Sequence, residues 1–148
     1  GDPVYFCFCN MAQFKLYKLG FDRMFFIGEI SEQQARVQEA ANAAQQAAIA
    51  AIRPGIAAEE VAAAANEVYR QFGFETGYRT GRSIGMSYLE APELKTGDKT
   101  ILQPGMTFAV DGGISVDGEC GGRIGDSVYV TETDCEYLTE YERGLLLV

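Results

Sequence analysis

The sequence contains no histidine and little cysteine. Histidine is the commonest general base at neutral pH and the commonest metal ligand, so its absence excludes a Ser-His or Cys-His nucleophile within these 148 residues. The four cysteines are irregularly spaced, and we expect free thiols, because a chain of this length can build its own core. Cys7 and Cys9 alternate in a strand-like run and do not form a Cys-x-x-Cys pair, which argues against a structural zinc site.

Positive charge and long apolar runs are also scarce. Twelve Lys and Arg against 21 Asp and Glu give a net charge of −9, which argues against nucleic acid or an anionic membrane as a partner. The longest apolar run, residues 40–52, is interrupted by Asn42, Gln45 and Gln46 and is too short and too polar to span a bilayer. No targeting signal is readable in residues 1–4. We therefore expect one acidic, cytoplasmic domain over residues 1–148.

The apolar pattern predicts strands, then two helices, then strands. Residues 4–9 and 21–27 read as two paired strands. Ser31 followed by Gln34 is a capping box that opens a helix over residues 32–52, and helical spacing predicts a second helix over about 57–72. Glycine-rich strand segments follow at residues 78–85, 107–111 and 123–131. This order predicts an α+β fold, a curved antiparallel sheet with helices packed on one face.

Six short motifs follow one another in an order known from one protein family. They are Ile52-Arg53-Pro54-Gly55, Gly81-x-x-Ile84-Gly85, Glu90-x-Pro92, Leu102-x-Pro104-Gly105-Met106-Thr107-Phe108, Gly122-Arg123-Ile124-x-Asp126-Ser127-Val128-x-Val130-Thr131 and Leu138-Thr139. With these motifs the chain resembles the pita-bread family of creatinase, prolidase, aminopeptidase P and methionine aminopeptidase. The resemblance implies a pita-bread fold that lacks much of its first half, and a homo-oligomer that covers the exposed apolar sheet surface.

Peptidase members of that family use two Asp, one His and two Glu to hold two metal ions that activate a bridging water. The corresponding positions in this chain are Cys7, Gly20, Arg82, Asp111 and Gly125. One carboxylate cannot hold hard divalent cations, so the resemblance implies that the dinuclear site is lost and that neither metal nor another cofactor is bound. A register slip would offer Asp22 as a ligand, but strand alternation directs only one of Asp22 and Arg23 inward.

The remaining charged and aromatic residues are the candidates for a pocket. Glu90 and Asp111 are the candidate catalytic carboxylates, and the candidate substrate-binding residues are Arg23, Arg82, Tyr88, Arg123 and Asp126. Several of them have an alternative structural role. Glu90 is otherwise an exposed turn carboxylate, Arg82 an ion-pair partner of Asp111, and Arg123 and Asp126 a structural strand pair.

Packing in the core is the expectation for several other residues near the pocket. Cys7 lies in an apolar strand, where burial would make its thiol inert. Tyr78, Tyr88 and Phe108 are expected to line the core, with ligand contact by Tyr88 as the alternative.

Three functions remain open. The first is hydrolysis of a C–N bond in a small amide, amidine or dipeptide, without the dinuclear metal site. The second is a pseudoenzyme that binds a small carboxylate or a peptide end through Arg82 and Arg123. The third is a structural module in an assembly. The segment from Gly81 to Tyr88 resembles the creatinase-like and ectoine-hydrolase-like branch of the family.

Overall fold

The computed structural model describes residues 1–9, 11, 13–75 and 78–148. Its order of elements is the predicted one, strands before and after two helices. The elements are β1 (Asp2–Cys7), β2 (Gln13–Phe14), β3 (Tyr17–Lys18), β4 (Asp22–Ile27), α1 (Glu32–Ala51), α2 (Ala58–Gln71), β5 (Gly81–Ser83), β6 (Glu90–Leu94), β7 (Thr107–Val110), β8 (Gly113–Val116), β9 (Cys120–Arg123), β10 (Asp126–Val130), β11 (Cys135–Tyr137) and β12 (Leu146–Leu147).

Two sheets carry most of the β-structure. The larger has five antiparallel strands in the order β11-β10-β7-β5-β6, and the smaller has the order β1-β4-β12. The predicted pairing of the first strands is confirmed, since β1 and β4 run antiparallel with Cys7 opposite Asp22. The C-terminal β12 runs parallel to β4, an exception to the predicted antiparallel order. The β8-β9 hairpin, which turns at Asp117-Gly118, was not predicted as a pair of strands.

Helix α1 begins and packs as its sequence dictates. Ser31 and Gln34 form the predicted capping box, with each side chain bonded to the other residue's backbone N–H. Its alanine-rich face is buried and lets the backbone of β9 approach closely. A Cβ added at Gly122 would lie 2.6 Å from the carbonyl oxygen of Val37, so only glycine fits there. This contact fixes the position of Arg123, the next residue in β9.

The core lies between the two helices and the five-stranded sheet. Apolar side chains of α1, α2, β6, β7 and β10 fill it, and Phe108 is fully buried there, as predicted. Within the described part of the chain, neither helix is both long enough and apolar enough to cross a membrane. The architecture is the predicted α+β fold, with two helices packed on antiparallel sheets, and most of the candidate residues lie in or next to strands.

Candidate functional site

Arg82 and Asp111 form a buried ion pair, which confirms one of the two roles predicted for Arg82. Arg82 lies in β5 opposite Ala109, and Asp111 follows the end of β7. The guanidinium contacts Oδ2 of Asp111, and the two residues are 1% and 2% exposed. The Nε of Arg82 also donates to the carbonyl oxygen of Tyr88 at 2.7 Å, and the Tyr88 ring lies 5.9 Å from the guanidinium carbon.

Arg123 and Asp22 extend this pair into a larger cluster. Nε of Arg123 lies 3.5 Å from Oδ2 of Asp22, and Nη2 of Arg123 lies 3.8 Å from Oδ2 of Asp111. The backbone N–H of Arg123 donates to Gln38 of α1, which holds the end of β9 in place. We call Arg82, Asp111, Arg123 and Asp22 the four-charge cluster. Its two cations and two carboxylates sum to zero, so the buried charges compensate one another.

Two glycines leave the space that this cluster fills. A Cβ at Gly125 would lie 2.8 Å from Oδ2 of Asp22, so the Asp22 carboxylate occupies the volume that a side chain at position 125 would need. A Cβ at Gly20 would lie 2.4 Å from the Cβ of Ala109 and 3.5 Å from Nη2 of Arg82. Both are positions where the resemblance places carboxylate ligands. In this chain those two glycines provide no metal-ligand atom, and the neighbouring atoms leave no space for a side chain that could.

Cys7 and Cys9 lie beside the same cluster. Cys7 is exposed, so the prediction that it packs in the core is wrong; β1 is an outer strand of its sheet, and this part of it faces solvent. The two sulfurs are 3.1 Å apart, and Sγ of Cys9 donates to Oδ1 of Asp22 at 3.1 Å. Burial, the neighbouring thiol and the Asp22 charge raise the pKa of Cys9 to about 12. Both cysteines are free thiols, as predicted.

A cavity of about 470 Å³ opens next to Arg123. The Arg123 guanidinium carbon lies 5.5 Å from the centre of the Tyr5 ring and 5.3 Å from that of Tyr78, so two aromatic faces hold the cation at the cavity wall. Arg123 keeps 29% of its side chain exposed, unlike Arg82. Tyr78 and Tyr88 are 46% and 47% exposed and do not line the core as predicted, because they stand on surface segments outside the sheets.

Arg23 and Asp126 belong to a second buried network. Nη2 of Arg23 donates to Oδ1 of Asp126 at 2.8 Å. Asp126 also accepts from Gln45 of α1, from Thr139 and from Arg143. Burial alone would raise the pKa of Asp126, but the hydrogen bonds from these four residues outweigh it and hold the pKa below its ordinary value.

This second network overturns two predictions. Arg123 and Asp126 do not pair with each other, because β9 and β10 belong to different sheets and direct the two side chains to different clusters. Asp22 and Arg23 are both buried, 0% and 2% exposed, because both faces of β4 are covered. The described polar contacts of Arg23 and Asp126 are with protein groups, and substrate binding by them stays a prediction.

Glu90 stands at the start of β6 and closes a turn. Its Oε1 accepts a hydrogen bond from the backbone N–H of Ser87 at 2.8 Å. A Cβ at Gly85 would lie within 3.0 Å of its carboxylate, so the turn is built around this side chain. The contact favours the structural alternative, and a catalytic role for Glu90 stays a prediction.

Neither Cys9 nor Arg143 was predicted to be a site residue. The sequence did contain a signal for Cys9, since side chains two residues apart in an extended segment share a face, and Cys7 stands at one of the family's ligand positions. Arg143 lies in an irregular C-terminal segment with no periodic pattern, so no sequence signal placed it on Asp126.

Comparisons with known proteins agree with this architecture. The chain is 31% identical over 137 residues to the Xaa-Pro dipeptidase of Pyrococcus furiosus, a match that covers 91% of this chain and 39% of that protein. It is 40% identical over 79 residues to the agropine synthesis cyclase of Rhizobium rhizogenes, covering 52% and 20%. It is 37% identical over 83 residues to the ectoine hydrolase of Halomonas elongata, covering 52% and 21%.

A solved structure shows the same fold over almost the whole chain. The dipeptidase of Pyrococcus horikoshii OT3 superposes with a TM-score of 0.91 at 32% identity, covering 99% of this chain and 40% of that one. The chain thus spans about two fifths of this structure and of the Pyrococcus furiosus enzyme, and about one fifth of the other two relatives. The sequence profile of metallopeptidase family M24 matches residues 3–132. The chain therefore belongs to metallopeptidase family M24.

Proposed function

We propose that this protein is a hydrolase homologue that acts on a C–N bond of a small amide, amidine or dipeptide without a dinuclear metal centre. The observation that carries the proposal is the four-charge cluster. It places the Arg82 guanidinium on Asp111, the one carboxylate kept at the family's ligand positions. A guanidinium stays protonated at any accessible pH and would repel a divalent cation from that carboxylate.

The residues present do not fit a pair of hard metal ions. Such ions need several oxygen or imidazole donors at once, and Gly20 and Gly125 supply none. The close approach of Ala109 to Gly20 and of Asp22 to Gly125 supports the same conclusion, since no side chain fits at either position without rearrangement. We derive no step of the reaction through a metal pair.

The cavity beside Arg123 is an argument for a small polar substrate. A guanidinium recognises a carboxylate by paired N–H donors, and Arg123 is the member of the four-charge cluster with its side chain partly open to solvent. Among the relatives, one is named for ectoine hydrolysis and another for agropine synthesis, and both names denote chemistry on small molecules. In this proposal Arg123 binds the substrate's carboxylate, while Asp111 and Glu90 are the candidate carboxylates for proton transfer.

The test combines metal retention with turnover. Purified protein is incubated with Mn²⁺, desalted and analysed by plasma mass spectrometry, then assayed on dipeptides, amides and amidines with and without a chelator. We expect no retained Mn²⁺ and a product release that the chelator leaves unchanged. Stoichiometric Mn²⁺ together with chelator-sensitive dipeptide hydrolysis would overturn the proposal.

A second candidate function is binding of a small carboxylate without turnover, and the exposed guanidinium of Arg123 at the cavity wall favours it. A ligand at 100 times its dissociation constant stabilises the folded state by about 2.7 kcal/mol. We expect small carboxylates to raise the melting temperature and Arg123→Met to abolish that rise.

The matched control is Arg53→Met, which removes an exposed arginine from the segment after α1 and should keep the full rise in melting temperature. If the carboxylate still raised the melting temperature of Arg123→Met, it would bind elsewhere on the protein. Turnover of any carboxylate that binds would favour the hydrolase over the pure binding protein.

A further inference from the structure

Cys7, Cys9 and Asp22 bring two sulfurs and a carboxylate to one point at the edge of the four-charge cluster. Sγ of Cys9 is 3.1 Å from Sγ of Cys7 and 3.1 Å from Oδ1 of Asp22, and one ligand atom from each residue fits within 4.8 Å of the other two. The two cysteines come from the end of β1 and the residues after it, and Asp22 begins the paired strand β4. The trio is therefore held by backbone pairing of two strands.

The Asp22 carboxylate is an unusual member of this trio. It is fully buried, and its Oδ2 accepts no hydrogen bond from any residue that the structure describes. Its nearest cation is Arg123 at 3.5 Å. The other oxygen, Oδ1, faces the sulfurs and accepts the S–H of Cys9 at 3.1 Å. A thiol is a weak donor, so a cation between Oδ1 and the two sulfurs would give this buried carboxylate a stronger partner.

We propose that Cys7, Cys9 and Asp22 form a binding site for a single thiophilic divalent cation such as Zn²⁺. This site differs from the family's dinuclear centre in its donors and in its use of Cys9 and Asp22, and it does not depend on the proposed function. It replaces the expectation from the sequence that the chain binds no metal. Two thiolates and one carboxylate suit zinc, and three protein ligands leave a fourth position for water or a small ligand.

The geometry needs only a small adjustment to accept the ion. At tetrahedral zinc, with Zn–S distances of about 2.3 Å, two sulfurs stand ~3.8 Å apart. The observed separation is 3.1 Å, and the exposed Cys7 side chain is free to rotate outward by the difference. The same exposure gives the ion a path from solvent.

Charge balance also favours the ion, in spite of two nearby arginines. With both thiols protonated, Asp22 and Asp111 balance Arg82 and Arg123. On binding, both S–H protons leave to the buffer and a doubly positive ion takes their place, so the net charge of the cluster is unchanged. Metal binding of this kind supplies the energy that deprotonates a thiol whose pKa burial has raised.

The test is a titration with Co²⁺, which reports thiolate ligands by a charge-transfer absorption band, in a phosphine reductant that keeps the thiols free. We expect one equivalent to bind with that band and Zn²⁺ to displace it. Cys7→Ser and Cys9→Ser should each weaken binding at least tenfold and reduce the band. Cys7 is exposed, so Cys7→Ser should fold normally, which circular dichroism checks.

Cys120→Ser is the matched control, because it removes a thiol of β9 outside the trio and should leave both affinity and band unchanged. Asp22→Asn should weaken Co²⁺ binding while keeping the thiolate band. Absence of the band in the unmodified protein would overturn the proposal, and so would its persistence in the Cys7→Ser/Cys9→Ser double variant. Because the test of the proposed function uses Mn²⁺ and turnover, either proposal can fail without the other.

Discussion

Replacing Arg82 with methionine is expected to lower the free energy of unfolding by about 3–5 kcal/mol, the usual cost of removing one partner of a buried ion pair. Arg82 is 1% exposed, and its guanidinium contacts Asp111, which is 2% exposed. After the substitution the remaining cation beside Asp111, among the described residues, would be Arg123, whose Nη2 lies 3.8 Å from Oδ2. Urea unfolding followed by circular dichroism measures the change.

Arg70→Met is the control for Arg82→Met. Arg70 forms an ion pair with Glu67, but both side chains are more than half exposed, and such a pair contributes at most about 1 kcal/mol. Arg82→Met/Asp111→Leu removes both charges and should recover much of the lost stability, since an apolar pair of similar volume is often as stable as a buried ion pair. If Arg82→Met lowered the free energy of unfolding no more than Arg70→Met does, the four-charge cluster would not stabilise the fold.

The features that short sequence motifs determine were predicted correctly from the sequence. Arg82 falls in one of the six motifs and Asp111 in the strand that follows another, and their pairing followed from opposite charge at two positions that the family brings together. The helices were also predictable, because a capping box and a run of alanines act within a few residues. These signals need no knowledge of the distant parts of the chain.

The rest of the site depends on contacts between distant residues. Asp22 enters the cluster because Gly125, 103 positions later, leaves the space for its carboxylate. Strand alternation wrongly directed one of Asp22 and Arg23 outward, because that rule assumes one solvent-facing side and both faces of β4 are covered. The pairing of Arg143 with Asp126 likewise depends on where an irregular segment folds back.

Asp126 is the second residue whose substitution should strongly lower the free energy of unfolding. It is fully buried and accepts hydrogen bonds from Arg23, Arg143, Gln45 and Thr139. Asp126→Ala leaves the Arg23 guanidinium, itself 2% exposed, without its carboxylate, and should cost about 3–5 kcal/mol. Urea unfolding at neutral pH measures the loss, and Asp126→Asn serves as a second variant that keeps the shape if the alanine variant does not fold.

The pH dependence separates a charge effect from a packing effect. The pKa of Asp126 is depressed in the folded protein, so its stabilisation is complete above the unfolded value of about 3.9 and is lost as pH falls through the folded pKa. The stability difference between the unmodified protein and Asp126→Asn should therefore shrink as the pH is lowered from 5 towards 2. Glu140→Ala, which removes an exposed carboxylate from the same C-terminal segment, should show only a small, nearly constant difference. A difference for Asp126→Asn that stays constant down to acid pH would mean that shape, and not the carboxylate charge, holds Arg23 in place.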